Sequence, residues 1–276
     1  MDYMEYFPAP ALTKLIDRYI FISVNGTIPI EKCIPNGFVR LYIVGEDSDL
    51  TIITLDGKRA ILKDSIEGHP NEQVHSTQVN KKLNLIICSF YPSSFFQIFR
   101  FPIQYLNNKL TAPENIFGNQ YYSLREQLLH TTDNFKKKEI LDHFFSKFFP
   151  TPNSYLLNPI SIVQETILQH KGNIRVSSLY NTFGKSQRSL ERNFLEQVGV
   201  GIKYYCRILR FNNAYALKRK YPEKSWNEIL YTCGYYDQSH YIKEFKSFVE
   251  IPPETYFQGK HFSLDVFTGK VNSLSI

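Results

Sequence analysis

The stretch Thr232-Cys-Gly-Tyr-Tyr-Asp-Gln-Ser-His-Tyr-Ile-Lys-Glu-Phe-Lys246 constrains this chain most. A short helical pattern ends at Gly234, and Asp237 opens a second pattern whose apolar residues, Tyr241 and Phe245, stand one turn apart. Aspartate is a preferred N-cap because its carboxylate accepts an otherwise unpaired backbone N–H, and glycine lets the chain reverse in few residues. The result is a helix-turn-helix. With Tyr241 and Phe245 turned inward, Gln238, Ser239, His240 and Lys243 fall on the outer face. Polar side chains of this size on an exposed second helix have the dimensions of a major-groove reader.

The same unit stands once more upstream. Val176 to Phe183 reads as a helix, Gly184-Lys185 as a turn, and Ser186 to Val198 as a second helix capped by Ser186. Ile160 to His170 precedes it as a further helix, and Ile202 to Lys220 follows as a long one. Ser225 to Cys233, the Gly234-Tyr235 turn and Asp237 to Phe248 then repeat the unit, and Pro252-Pro253 opens a final helix. Leu179 corresponds to Ile229, Gly184 to Gly234, Ser186 to Tyr236 or Asp237, Phe194 to Phe245 and Tyr204 to Tyr256.

The first half has a different texture. Val39–Val44, Leu50–Leu55 and Leu83–Tyr91 are short, β-branched and aromatic, and turn formers such as Pro35-Asn-Gly37 and Asp56-Gly57 separate them. They predict a small sheet or barrel. From Tyr121 the apolar spacing changes to three and four: Leu124, Leu128, Ile140, Leu141, Phe144, Phe145 and Phe148 form one broad helical face, to be covered by the sheet or by a second subunit. Phe95, Phe96, Phe99 and Phe101 read as core before they read as pocket lining. Phe149-Pro-Thr-Pro-Asn-Ser154 stops the helices and needs no packing. The predicted class is therefore α+β. A β-rich, barrel-like domain with C-terminal helices spans 1–150, a linker 151–156, an all-α domain of two helix-turn-helix units joined by a long helix 157–262, and a tail 263–276.

Charge follows the same division. Residues 157–260 hold 15 Lys and Arg against 9 Asp and Glu, and so carry the whole net charge of +6. That half is suited to phosphates. Cys33, Cys88, Cys206 and Cys233 are far apart and form no Cys-x-x-Cys pair, which predicts buried thiols rather than a disulfide framework or zinc clip. The seven histidines fall in no metal-binding spacing, Asp142-His143 lies in an apolar helix as a structural pair, and neither a Gly-x-Ser-x-Gly elbow nor a phosphate loop is present. An enzyme and a cofactor are not expected. The acidic start and the lack of an apolar run of about 20 residues predict a cytoplasmic protein with no membrane partner.

Asp237–Lys246 followed by Ile251-Pro-Pro-Glu-Thr-Tyr256, and Ser186–Phe194 with Gly199, resemble the signature of the AraC/XylS family of bacterial transcription regulators over roughly 100 residues. Ile34–Ile43 and Cys88–Phe96 more weakly resemble the proline-containing motifs of the sensor-like domain that precedes such modules, with Ser93-Ser94 in place of the usual glycines. The resemblance implies sequence-specific binding to double-stranded promoter DNA in two successive major grooves. It implies that each second helix enters a major groove, and helical geometry then puts Gln187, Arg188, Glu191 and Arg192 opposite Leu190 and Phe194, and Gln238, Ser239, His240 and Lys243 opposite Tyr241 and Phe245, as the candidate DNA contacts. It also implies RNA polymerase as a partner, and a small-molecule or protein effector or a homodimer through the N-terminal domain. Departures are Tyr180 and Leu230 at usually small positions, Ile202 for a proline, and Glu250 for a glycine. Tyr180 and Leu230 leave open a protein-interaction module whose units no longer read DNA.

Overall fold

The computed structural model describes residues 2–53, 57–70, 76–148, 158–182 and 186–258. The linker 151–156, the turn residues Gly184, Lys185 and Asp56, and the tail 263–276 lie outside them.

Nine strands come first: β1 Asp2–Tyr6, β2 Ile16–Asn25, β3 Ile28–Lys32, β4 Val39–Val44, β5 Leu50–Ile53, β6 Arg59–Ile61, β7 Ser65–Glu67, β8 Ser76–Val79 and β9 Lys82–Phe90. They form two antiparallel sheets, β1-β2-β9-β4-β7 and β3-β8-β5-β6, which face each other without closing into a barrel. Strands β4 and β9 of the larger sheet are buried on both faces, which explains why they read as nearly continuous apolar runs. In β2, alternation sends Ile20, Ile22 and Val24 into the core between the sheets, with Leu50, Ile52 and Val79 from the opposite sheet. Tyr19 and Phe21 point the other way, toward helices.

Those helices are α1 Pro92–Phe99, α2 Glu114–Phe117, α3 Gln120–His130 and α4 Asn134–Ser146. Tyr121, Leu124, Leu128, Leu141, Phe144 and Phe145 pack on Tyr19, Phe21, Cys88 and Phe90 of the sheet. Of the two covers open to this helical face, the sheet supplies it. Phe95 is fully buried in the same cluster, with Phe96, Phe99 and Phe101 packed against it, so the aromatic group is core. Asp142 accepts from the Tyr19 hydroxyl at 3.0 Å and from the Ala9 N–H at 3.1 Å, and so pins α4 to the strands. All four cysteines are buried and free.

The second half is helical: α5 Pro159–Gln169, α6 Val176–Thr182, α7 Gln187–Val198, α8 Ile202–Lys220, α9 Trp226–Thr232, α10 Gln238–Val249 and α11 Pro253–Gln258. The long helix α8 serves two cores in turn. Its first half gives Ile202, Tyr205, Cys206 and Leu209 to α5, α6 and α7. Its second gives Ile208, Phe211, Ala214 and Tyr215 to α9, α10 and α11. No helix among the described residues is long and apolar enough to cross a membrane.

Candidate nucleic-acid interface

In the first unit, Ser186 caps α7 by accepting the Ser189 N–H at 3.3 Å. Leu190, Phe194 and Val198 are fully buried, which fixes the rotation of α7 about its own axis. Gln187, Arg188 and Arg192 are therefore exposed on the opposite face, whereas Glu191 is half-buried. Tyr180 of α6 lies between two of the four candidates. Its hydroxyl donates to Glu191 Oε1 at 2.9 Å and accepts from Gln187 Nε2 at 3.2 Å.

The second unit repeats the plan with stronger polar fittings. Ser225 and Glu228 form a reciprocal capping box on α9, and Asp237 caps α10 by accepting the His240 N–H at 2.7 Å. Asp237, not Tyr236, is thus the counterpart of Ser186. Tyr241 and Phe245 are fully buried; Ser239, His240 and Lys243 are exposed and Gln238 is half-exposed. The His240 ring meets the edge of Tyr235 at 5.4 Å. Beneath this surface Glu244 is buried and holds α10 to α8 through Arg207 at 3.0 Å and Arg210 at 3.5 Å, while the Tyr235 hydroxyl donates to it at 2.6 Å. Leu230 is buried in this core, and Ile202, at the first position of α8, is fully buried in the other.

The two units touch directly as well as through α8. Gly234, with φ +73°, passes so close to Asn173 that an added Cβ would lie 2.1 Å from its Oδ1. A side chain here would displace the Asn173 amide and strain the left-handed turn.

The first unit is seated on the strand-rich domain by buried polar contacts. Asn107 accepts the His69 N–H at 2.8 Å and donates Nδ2 to the Gly199 carbonyl at 2.6 Å. His69 Nε2 lies 2.8 Å from the Val198 carbonyl, so that nitrogen carries the proton. Burial lowers the His69 pKa to about 4, against a smaller opposing effect of the Val198 hydrogen bond, with Arg40 adding to the depression. Tyr205 donates to the Gly37 carbonyl at 3.1 Å and accepts from Gln164, which in turn accepts the Ser93 N–H at 3.0 Å. Gly199, with φ +90°, would put a Cβ 2.7 Å from Ile103. The C-terminal end of α7 is therefore gripped, while its N-terminal end is exposed.

Two tyrosines of this surface escape a reading of spacing alone. Tyr180 looks like a packing misfit until its hydroxyl partners are seen. Tyr236 is 94% exposed beside the α10 cap; the doublet Tyr235-Tyr236 at a tight turn is the signal, since only Tyr235 is buried. No group of three or more His, Cys, Asp or Glu placed to hold a metal occurs among the described residues.

Two capped helix-turn-helix units on one connecting helix, beside a strand-rich domain, define a DNA-binding transcription regulator. Residues 179–259 match the family model described as Helix-turn-helix domain, and the C-terminal module is of the AraC type. Residues 4–112 match a Domain of unknown function (DUF6597). No curated protein matches the chain in sequence. Among solved structures, ToxT from Vibrio cholerae aligns with 15% identity over 86% of this chain and 98% of its own, with a TM-score of 0.47. Unsaturated fatty acid bound ToxT from strain SCE256 of the same organism aligns with 15% identity over 90% and 94%, with a TM-score of 0.46.

Proposed function

We propose that the chain reads promoter DNA sequence-specifically, with α7 and α10 entering two successive major grooves on one face of the duplex, roughly 34 Å apart. The observation that supports this best is the equivalence of the two helices. Each is capped at its first turn, buried on its Phe194 or Phe245 side, and polar on the other. Gln187, Arg188 and Arg192 on α7, with Gln238, Ser239, His240 and Lys243 on α10, are the proposed contacts. Arg188 fits guanine O6/N7 and Gln187 adenine N6/N7, whereas Arg192 and Lys243 also suit phosphates.

Regulation is proposed to act through the grip on α7. An effector or a partner protein that stabilises one arrangement of the strand-rich domain changes how α7 is presented, and the coupling is reciprocal. RNA polymerase is the proposed target of the bound regulator. A homodimer requires a surface other than the apolar side of α3 and α4, which the sheet covers.

Arg188→Ala and Lys243→Ala, titrated against a selected duplex at several salt concentrations, test the reading faces. Loss of preference at one base pair identifies readout, and a uniform drop with a salt slope shallower by about one identifies a phosphate contact. Equal binding by both variants and the parent would remove the proposed faces.

A further inference from the structure

Tyr180 stands where it can decide what α7 offers to a base. Gln187 and Glu191 are four residues apart, so they share one face of α7 on successive turns. The Tyr180 hydroxyl has one proton. Glu191, as a carboxylate, can only accept, so that proton goes to Glu191 Oε1 at 2.9 Å. The hydroxyl oxygen is then an acceptor, and Gln187 Nε2 donates to it at 3.2 Å. Partial burial and the Glu191 carboxylate both raise the Tyr180 pKa, so the hydroxyl keeps its proton near neutrality. The polarity of the chain Gln187 to Tyr180 to Glu191 is thereby set by the carboxylate at its end.

A free glutamine amide can flip and present either its oxygen or its nitrogen. Gln187 in this chain cannot flip without setting its carbonyl oxygen against an oxygen that has no proton left to give. One N–H is committed to Tyr180, and the carbonyl oxygen with the second N–H remains for DNA. That donor–acceptor pair is the complement of adenine N6/N7.

We propose that Tyr180 is a positioning residue that fixes Gln187 for adenine, and that Glu191 sets the polarity of this bracket instead of reading a base itself. The inference rests on α7 being a reading helix. It assigns no contact with DNA to Tyr180.

Selection of random duplexes on the full-length chain, compared with Tyr180→Phe, Glu191→Ala, Gln187→Ala and the Tyr180→Phe/Gln187→Ala pair, tests it. Tyr180→Phe keeps the ring that packs beside α7 and removes only the bridge. Adenine preference at one position of the first box is expected to fall roughly fivefold or more, the scale of one base contact, with the second box unchanged. Glu191→Ala frees the hydroxyl proton for Gln187 Oε1, so the same position is expected to drift from adenine toward guanine. In the Gln187→Ala background, Tyr180→Phe is expected to add nothing. An unaltered first box in Tyr180→Phe, or loss of a different base in Glu191→Ala, would overturn the proposal. If Tyr180→Phe fails to fold, the Glu191→Ala result decides alone. A parent chain that selects no motif at all overturns the regulator reading itself, an outcome distinct from an unaltered Tyr180→Phe box.

Discussion

His69 of the strand-rich domain donates its Nε2 proton to the main-chain carbonyl of Val198, 2.8 Å away, at the last residue of α7. Both residues are fully buried, and the second ring nitrogen, Nδ1, has no hydrogen-bond partner among the described residues. A proton arriving on Nδ1 meets no acceptor among the described residues and adds a charge near Arg40.

Stability is therefore expected to carry a pH-dependent contribution from this group. The folded-state pKa of about 4 lies below the ordinary value of 6.5, so the unfolded chain takes up the proton first. The His69 contribution is complete above pH 6.5, declines as pH falls, and is exhausted near pH 4, a loss of about 3 kcal/mol. His69→Gln, which can donate to the same carbonyl without titrating, is expected to flatten the urea midpoint across this window by about one proton. An unchanged slope would mean that other groups govern it.

Glu250 closes α10 with φ +69°, in the left-handed region that favours glycine, and its N–H bonds the Lys246 carbonyl. Glu250→Gly removes the steric cost of that conformation and keeps the cap. A gain of about 1 kcal/mol in thermal or urea unfolding is expected.

Glu244 collects Arg207, Arg210 and the Tyr235 hydroxyl in a buried site. Glu244→Ala leaves Arg210, largely buried, and the Tyr235 hydroxyl without their shared acceptor; Arg207 is better hydrated and loses less. The expected destabilisation is about 3 kcal/mol, a value at the low end for a broken buried ion pair. Because Glu244 ties α10 to α8, binding to the second box is expected to weaken more than binding to the first, as footprinting at partial occupancy can measure.

Much of the helical half was legible because capping and apolar spacing are local. Ser186 and Asp237 announced their helices, and the bounds of α8 follow from Ile202 to Lys220 as the spacing predicts. The position of β4 was equally plain, since five of its six residues, all but Arg40, are β-branched, aromatic or leucine. The two-sheet arrangement was not, since pairings such as Tyr19 with Cys88 join residues far apart in the chain, and spacing along one strand does not choose a partner. Nor was the junction: His69, Asn107 and Gly37 carry no pattern until Val198, Gly199 and Tyr205 are brought beside them. Tyr180 was visible as an oddity, but its role needed the positions of Gln187 and Glu191 across a helix crossing.

Two equivalent helices, α7 and α10, are proposed to read two successive grooves. Selection of random duplex DNA on the full-length chain at about physiological salt tests this most directly, because specific sites must there outcompete phosphate-only binding. The expected result is one bipartite motif with two boxes centred about one helical turn apart. Recovery of unselected sequence by the full chain and by the isolated segment 158–258 alike would contradict it.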